Sequence, residues 1–334
     1  MFFRWTMRYK SFSLLIILSI VLLLTGCSRN VDLSRQSELK IKSNLLFVCN
    51  AGSDYVSVID ADNNTVYASF EARQPWGITF SRDRKRGYAT CVGSGQLKVI
   101  NGYNFIPIDY INVGLSSPVG VIVNSSLDRA YVVRYAFDSL LIVDLNRSDW
   151  AGEITLGDGP QWAVISTDES KVYVVNTKSD TLSVVDLAAG DVSKSIPLPY
   201  YSYGVTRSPH DHKIYVASFA TISIIDPAND NLEENIVVGG GAKSWIEFSN
   251  VSNHAYISDL SYDKVIVYDL GSREVIQEIP VDDGPHCMVR NGDGSKIYVS
   301  CAYSDTVDVI NTMTNTVEAK ISVGNTPIGL YFRD

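Results

Sequence analysis

Short stretches of alternating apolar and polar residues recur along the chain from residue 45 to its end. Each repeat opens on an aromatic residue followed by small or β-branched residues, and this anchor returns every 41 to 43 residues. The anchors are Phe47, Tyr88, Tyr131, Tyr173, Tyr215, Tyr256 and Tyr298. Alternation with a period of two predicts β-strands, and no part of this region has the spacing of a helix.

Two further signals complete each repeat. An apolar run follows each anchor and closes on Asp or Asn, and a turn containing Pro or Gly then leads into another short strand. The closing residues are Asp60, Asn101, Asp144, Asp186, Asp226, Asp269 and Asn311. Each repeat therefore offers four short strands separated by turn residues.

A four-stranded unit of this length cannot bury both of its faces alone, whereas seven units packed radially around an axis can. The repeats predict an all-β fold, a seven-bladed β-propeller of four-stranded antiparallel blades spanning residues 45–334. The chain starts on the second strand of a blade and ends on a lone first strand, residues 328–332. We expect this last strand to join the N-terminal blade and close the ring, which leaves no long free edge and favours a monomer.

Several segments resemble the YVTN-repeat β-propellers, a family of exported and surface-layer-like proteins. Tyr173, Val174, Val175 and Asn176 differ from the family's name motif at one position, and the segments 180–186 and 157–160 resemble the following strand and turn. The resemblance covers residues 45–333. It implies the fold but no single function, since propellers host binding, scaffolding and enzymatic roles.

The N-terminal segment predicts export. Three basic residues precede an apolar run at residues 14–24, which is too short to cross a bilayer and is typical of a secretory signal. The order Leu24, Thr25, Gly26, Cys27 resembles the lipobox of bacterial lipoproteins, whose cysteine is diacylated. We expect a signal peptide at 1–26, a tether at 27–44 lipidated on Cys27, and an extracytoplasmic protein anchored to the cell membrane or the outer membrane.

The formal net charge is −9. An acidic chain argues against nucleic acid as a partner. It also argues against electrostatic docking of the whole body onto anionic lipid, so the acyl chains are expected to hold the protein at the membrane.

The family resemblance implies that loops leading into first strands, and loops joining second to third strands, share one face around a central channel. In this sequence the channel mouth would hold five residues, here called the collar: Trp76, Trp162, Tyr203, Trp245 and His286. With Arg134 and Tyr135 on surrounding loops, they form the predicted binding site for a planar or amphipathic ligand. The alternative is that these rings pack between blades. Arg134 would pair a ligand carboxylate or phosphate, or else form a surface salt bridge with Asp138.

The remaining cysteines and histidines add little chemistry. Cys49, Cys91, Cys287 and Cys301 form no CxxC pair, which excludes zinc-ribbon, thioredoxin-like and c-type haem sites. Cys287 and Cys301 fall on adjacent strands of one blade and form either a disulfide or two free thiols. Histidines 210, 212 and 254 lie in polar turns on the opposite face, so no metal site and no cofactor are predicted.

Three functions remain open. The first is a non-catalytic lipoprotein that binds a small ligand or an envelope protein at the collar. The second is an extracytoplasmic propeller enzyme, a lactonase, lyase or dehydrogenase, that uses His286 with an acid such as Asp283. The third is a structural envelope protein, which needs an exposed apolar patch but no site.

Overall fold

A computed structural model describes residues 41–115 and 117–334. The predicted signal peptide, Cys27 and the tether up to residue 40 lie outside the described residues. In the described part there are 27 β-strands and one short 3-10 turn, Tyr135–Phe137, but no α-helix. None of its helical residues belongs to a segment long and apolar enough to cross a membrane.

The strands form antiparallel sheets. Five sheets have four strands and one has seven. The first sheet contains β1 (Leu45–Asn50), β2 (Tyr55–Asp60), β3 (Thr65–Glu71) and the C-terminal β27 (Pro327–Arg333). The next three contain β4 (Pro75–Phe80), β5 (Arg86–Cys91), β6 (Gln96–Asn101) and β7 (Pro107–Asn112); β8 (Pro118–Val123), β9 (Arg129–Arg134), β10 (Ser139–Asp144) and β11 (Asp149–Thr155); and β12 (Pro160–Ile165), β13 (Lys171–Asn176), β14 (Thr181–Asp186) and β15 (Asp191–Pro197).

The seven-stranded sheet contains β16 (Val205–Arg207), β17 (Ile214–Ala217), β18 (Phe219–Asp226), β19 (Asn231–Phe248), β20 (His254–Asp259), β21 (Lys264–Asp269) and β22 (Glu274–Pro280). The last sheet contains β23 (Pro285–Arg290), β24 (Lys296–Cys301), β25 (Thr306–Asn311) and β26 (Thr316–Ser322). The prediction of an all-β fold made of four-stranded antiparallel units is confirmed. Every predicted closing residue ends a strand.

The long strand β19 departs from the repeat. Its first part pairs with β18 and its last part pairs with β20, so one strand runs through two units. Gly239 and Gly241 have φ of +99° and +93°, and these angles let the backbone cross from the first unit to the second. Lys243 stands where five of the other first strands begin with Pro, and it keeps an N–H that proline lacks.

Burial falls from the middle strands of each sheet to its outer strand. All six residues of β1 are buried, whereas β15 alternates between exposed and partly buried positions. The middle strands lie between neighbouring sheets, and the outer strands keep one face in water. The anchor aromatics Tyr88, Tyr173, Tyr256 and Tyr298 are almost fully buried.

The first strands of successive sheets approach each other closely, because glycines remove side chains from the contact. A Cβ on Gly77 would lie 2.4 Å from the Val119 carbonyl oxygen, and one on Gly329 would lie 2.1 Å from the Trp76 carbonyl oxygen. The hydroxyl of Thr90 accepts the Gly77 N–H at 2.8 Å and donates to the Val119 carbonyl at 2.7 Å. Strand β4 contacts β8 on one side and β27 on the other.

In five repeats an aspartate joins the loop between the second and third strands to the turn before the next first strand. Each has φ between 48° and 57° in a turn between two strands, and its carboxylate accepts a backbone N–H at 2.8 to 2.9 Å. The pairs are Asp54 with Gln74, Asp138 with Gly159, Asp180 with Tyr201, Asp263 with Gly284 and Asp305 with Thr326. These aspartates therefore have structural partners.

The C-terminal strand is held by one buried arginine. β27 pairs with β1, with Phe332 opposite Leu46. The guanidinium of Arg333 donates to the carbonyls of Gly102 at 2.7 Å and Lys42 at 2.9 Å. It also lies 5.1 to 5.4 Å from the ring centres of Phe47, Phe80 and Phe105. Burial lowers the pKa of Arg333 to about 10, which leaves it charged at neutral pH.

Candidate binding site

The collar residues lie at the start of first strands. Trp76, Trp162, Trp245 and His286 belong to β4, β12, β19 and β23, and Tyr203 precedes β16. The ladder register shifts at this point in β4, β12, β19 and β23. Four of the five first strands thus have an irregularity next to the collar residue.

The collar residues contact one another. The rings of Trp162 and Trp245 meet edge to face, with centres 5.0 Å apart. The hydroxyl of Tyr203 lies 3.0 Å from Nε2 of His286, and their rings are also edge to face. Trp76 packs on the same apolar cluster, which includes Ile328. The structure therefore brings the five predicted residues together, and they fill much of the space between the first strands themselves.

Several buried polar atoms at the collar have hydrogen-bonding capacity that no described protein group uses. They are Nε1 of Trp76, Nδ1 of His286 and Oε1 of the neighbouring Gln161. Nε1 of Trp162 also makes no well-formed hydrogen bond. An unmatched buried polar atom costs about 1–3 kcal/mol, so these atoms favour a polar partner at this place.

The collar is electrically neutral. Burial lowers the pKa of His286 to about 4, so its imidazole is uncharged at neutral pH. Burial raises the pKa of Tyr203, and the indole N–H of Trp162 opposes this rise more weakly. A general base works best with a pKa near the operating pH, which His286 lacks.

Within residues 41–115 and 117–334, no carboxylate bonds to His286. Its hydrogen bond goes to Tyr203, while Asp283 is exposed and its N–H is bound by the Ser304 hydroxyl. The geometry therefore gives the enzyme hypothesis no acid–base pair.

Arg134 lies elsewhere than predicted. Only 2% of its surface is exposed. It donates to the Ser139 hydroxyl at 3.1 Å and forms an ion pair with Glu153, and its guanidinium lies 4.9 Å from the Trp150 ring centre. The proposed bridge to Asp138 was wrong, since that carboxylate accepts the N–H of Gly159. Arg134 also donates to the carbonyl of Val113, next to the neighbouring sheet, at 3.4 Å. Its role as a ligand contact stays a prediction.

Tyr135 lies in the 3-10 turn and is partly buried. The ammonium of Lys178 lies 4.4 Å from its ring centre. This cation–π contact joins two neighbouring sheets. Its role as a ligand contact stays a prediction.

Four of the exposed aromatic side chains around the collar are here called the crescent, and Phe137 in the turn Tyr135–Phe137 is a fifth exposed ring. The crescent residues are Tyr200, Phe219, Tyr262 and Tyr303, with exposed fractions of 71%, 46%, 61% and 74%. The rings of Tyr200 and Phe219 lie 6.4 Å apart. The ring of Tyr262 lies against Gly241, where an added Cβ would be 2.9 Å from Cε2 of the tyrosine. The ring of Tyr303 lies against Gly284, where an added Cβ would be 2.7 Å from Cδ2 of the tyrosine.

Lys243 and Asp259 form an ion pair that sequence reasoning missed. Nζ of Lys243 lies 2.8 Å from Oδ2 of Asp259, and neither side chain is exposed. The lysine also donates to the carbonyls of Gly240 and Gly241. The sequence signals were two charged residues near the predicted mouth, Lys243 and Asp259, with the lysine where five other first strands begin with proline.

All four described cysteines are buried free thiols. Of the two alternatives for Cys287 and Cys301, the structure does not contain the disulfide. Cys301 lies opposite Pro285 in the ladder, and the N–H of Cys287 bonds to the Ser300 hydroxyl, so the two cysteines are not directly paired. Burial raises the pKa of Cys287 to about 12, which keeps its thiol protonated.

The larger surface clefts and the His, Cys, Asp and Glu residues of the described chain are further candidates for a site. Five clefts of 230 to 520 Å³ lie on the surface, and none of these five is lined by a collar residue. Within residues 41–115 and 117–334, no three His, Cys, Asp or Glu residues are grouped to hold a metal ion. His210 bonds to the Ser249 carbonyl and His254 lies 3.4 Å from Asp269.

Comparison with known proteins identifies the fold. No family model matches the chain. Antigen Lp49 of Leptospira interrogans is 30% identical over 150 residues, and the match covers 38% of this chain and about a third, 33%, of the antigen. Solved β-propeller structures match most of the chain. This chain folds as a β-propeller.

Three of these structures illustrate the range. A protein of unknown function from Desulfotomaculum acetoxidans has a TM-score of 0.76 at 15% identity, over 87% of this chain and 100% of the other. A putative 6-phosphogluconolactonase from Bacteroides fragilis has a TM-score of 0.74 at 12% identity, over 88% and 99%. The dihydro-heme d1 dehydrogenase NirN has a TM-score of 0.67 at 17% identity, over 87% and 76%. At these identities the likeness concerns the fold alone.

Proposed function

We propose that this protein is an exported, lipid-anchored β-propeller that binds an extracytoplasmic protein through its crescent, without catalysing a reaction. The observation that carries the proposal is the group of four exposed aromatic rings on one side of the molecule, around a neutral collar. Tyrosine and other aromatic residues are enriched at protein interfaces.

The proposed architecture is a closed ring of seven blades. Dividing β19 between its two pairing partners splits the seven-stranded sheet into two units, so that every unit has four strands. The pairing of β27 with β1, and its contact with β4, support closure. A closed ring holds the crescent loops rigidly, so little conformational entropy is lost on binding.

The proposed location rests on the sequence of the first 27 residues. A basic start, a short apolar run and the lipobox-like order ending at Cys27 support export and acylation. The described residues begin 14 positions after Cys27, which leaves a short link between an acyl anchor and the propeller.

A protein partner fits the crescent better than a small ligand does. The collar rings pack on one another, whereas the crescent rings are exposed to solvent. Exposed aromatic groups of this kind mark interaction surfaces. At the collar, the unmatched indole N–H of Trp76 would donate to a polar group of a partner loop, and Oε1 of Gln161 would accept from one.

Photo-crosslinking in the intact envelope tests this function. A photoreactive phenylalanine analogue replaces Tyr262 or Tyr303 in the full-length chain, and Ile276 on an outer strand serves as the control. We expect the same discrete protein adduct from both crescent positions and none from Ile276. Equal adducts from all three positions, or none from the crescent, would refute crescent binding.

A further inference from the structure

A second exposed apolar surface lies on outer strands near the start of the described chain. Five side chains here, called the rim patch, are 50% to 58% exposed: Val66, Tyr67, Ile106, Ile108 and Tyr110. They belong to β3, to β7 and to the residue before β7. A cluster this size is not explained by the core of either sheet.

The rim patch is continuous with the residues that enter the propeller. The Tyr67 ring lies 6.4 Å from the Phe105 ring, next to Ile106, and the ammonium of Lys42 lies 5.0 Å from the Tyr67 ring centre. Arg333 bonds to the carbonyls of both Lys42 and Gly102. The point where the chain emerges is therefore fixed beside the patch.

A basic loop borders the same patch. Residues 82–86 contain four basic residues and one acidic residue, within a chain whose net charge is −9. The Gly102 N–H donates to the Lys85 carbonyl at 2.7 Å, and Arg86 and Ile108 line one cleft. Arg82, Lys85 and Arg86 are exposed.

The acidic groups near the patch are mostly engaged. Asp60 pairs with Lys42 at 3.0 Å, and Asp83 bonds to the Ser81 hydroxyl at 2.7 Å. Asp62 accepts from Asn44, and Asp109 accepts from Ser148. Lys42 and Asp60 offset each other, while Asp62 and Asp109 keep their negative charges. The excess of positive charge beside the apolar side chains is therefore carried by the loop 82–86.

We propose that the rim patch and the loop 82–86 seat the propeller on the surface of an anionic phospholipid bilayer. Aromatic and aliphatic side chains flanked by lysine and arginine suit the headgroup region, where the rings enter the apolar boundary and the cations meet phosphate. The inference rests on the proposed anchoring. A link of 14 residues spans at most about 50 Å, so a lipid on Cys27 would keep the propeller within reach of the membrane.

This seat revises the expectation that acyl chains alone hold the protein. The whole chain is acidic, but charge acts on a membrane within about a Debye length, so a local basic loop decides the contact. Seating on the rim leaves the crescent away from the bilayer and free to meet a partner.

Hydroxyl-radical footprinting of the full-length lipidated protein tests the seat. The protein is reconstituted on vesicles of phosphatidylcholine alone, or with about a third of phosphatidylglycerol. We expect a severalfold drop in oxidation of Tyr67 and Tyr110 on the anionic vesicles, with no change at Tyr262 and Tyr303. Flotation of the same samples reports anchoring separately, so loss of the anchor and loss of the seat are distinguishable.

Two double variants test whether the positive charge of the loop 82–86 is needed for the contact with the membrane. Arg82→Glu with Lys85→Glu should float as well as the wild type but lose the protection of Tyr67 and Tyr110. The matched control, Lys178→Glu with Arg273→Glu, makes the same charge change away from the patch and should keep it. Equal oxidation on both vesicle types, or protection that depends on protein concentration in detergent and so reports a second copy, would overturn the proposal.

Discussion

At the scale of single residues, the buried pair of Lys243 and Asp259 takes the place that proline occupies in other repeats. Removing one member of a fully buried pair leaves an uncompensated charge, which costs about 3–5 kcal/mol. We predict that Asp259→Asn lowers the free energy of unfolding by about this amount in urea denaturation. Glu278→Gln is the matched control, because Glu278 is exposed and pairs with Lys264; it should cost about 1 kcal/mol or less. Equal effects would contradict the buried pair.

The lowered pKa of His286 predicts a specific pH dependence of the free energy of unfolding. Its pKa of about 4 in the folded protein lies below the ordinary value of 6.5, because burial disfavours the charged form. The unfolded chain therefore binds an extra proton between these values, so the contribution of neutral His286 is complete above about pH 6.5 and falls as the pH approaches 4. The loss is on the order of 3 kcal/mol at most.

Urea denaturation of the wild type and His286→Gln at pH 7 and pH 4.5 measures this contribution. Tyr203, the hydrogen-bond partner, stays protonated over this range because burial raises its pKa. The variant should lose less stability than the wild type on acidification, since it has no group at this position to protonate. Identical losses would mean that His286 is hydrated and titrates normally.

At the scale of strands and sheets, close approach of the first strands depends on glycine. Gly329→Ala places a Cβ 2.1 Å from the Trp76 carbonyl oxygen, so the backbone must shift. We predict a loss of about 1–3 kcal/mol in the free energy of unfolding. In Gly152→Ala, the nearest atom is Cδ1 of Ile142 at 3.7 Å, and the change should stay within about 0.5 kcal/mol. A harmless Gly329→Ala would show that the first strands are less tightly packed.

The period of the sequence predicted most of the strands because each repeat carries the same inward-facing positions. The anchors lie in the second strand of each unit, and Asp60, Asp186 and Asn311 end the third strands as expected. The fusion through β19 was not predicted, since it depends on the dihedral angles of two glycines and on one lysine N–H. A periodic pattern is read from the positions that all repeats share, so it does not reveal a change at a single position.

The structure places the collar residues in contact, but their role as a ligand site stays a prediction. The partner of Arg134 was not predictable, because it depends on which neighbour its long side chain reaches. Its contacts to Glu153 and Ser139 lie within the same sheet and leave no sequence signal. The repeated aspartates show the same limit, because acidic residues near the mouth turned out to bind backbone N–H groups.

At the scale of the whole molecule, the two proposals use different surfaces. The collar and the close first strands form the centre, the crescent is proposed to bind a protein, and the rim patch is proposed to contact the membrane. This separation follows from the fold, in which loops and outer strands vary while the inner strands hold the structure.

The central claim is that the crescent is the binding surface. Its most direct test is the affinity of the partner captured by crosslinking for the Tyr262→Ala, Tyr303→Ala double variant, measured against the Val275→Ala, Ile276→Ala control. Truncating two interface tyrosines should weaken binding about tenfold or more, with no loss in the control. An unchanged affinity in the crescent variant would contradict the account.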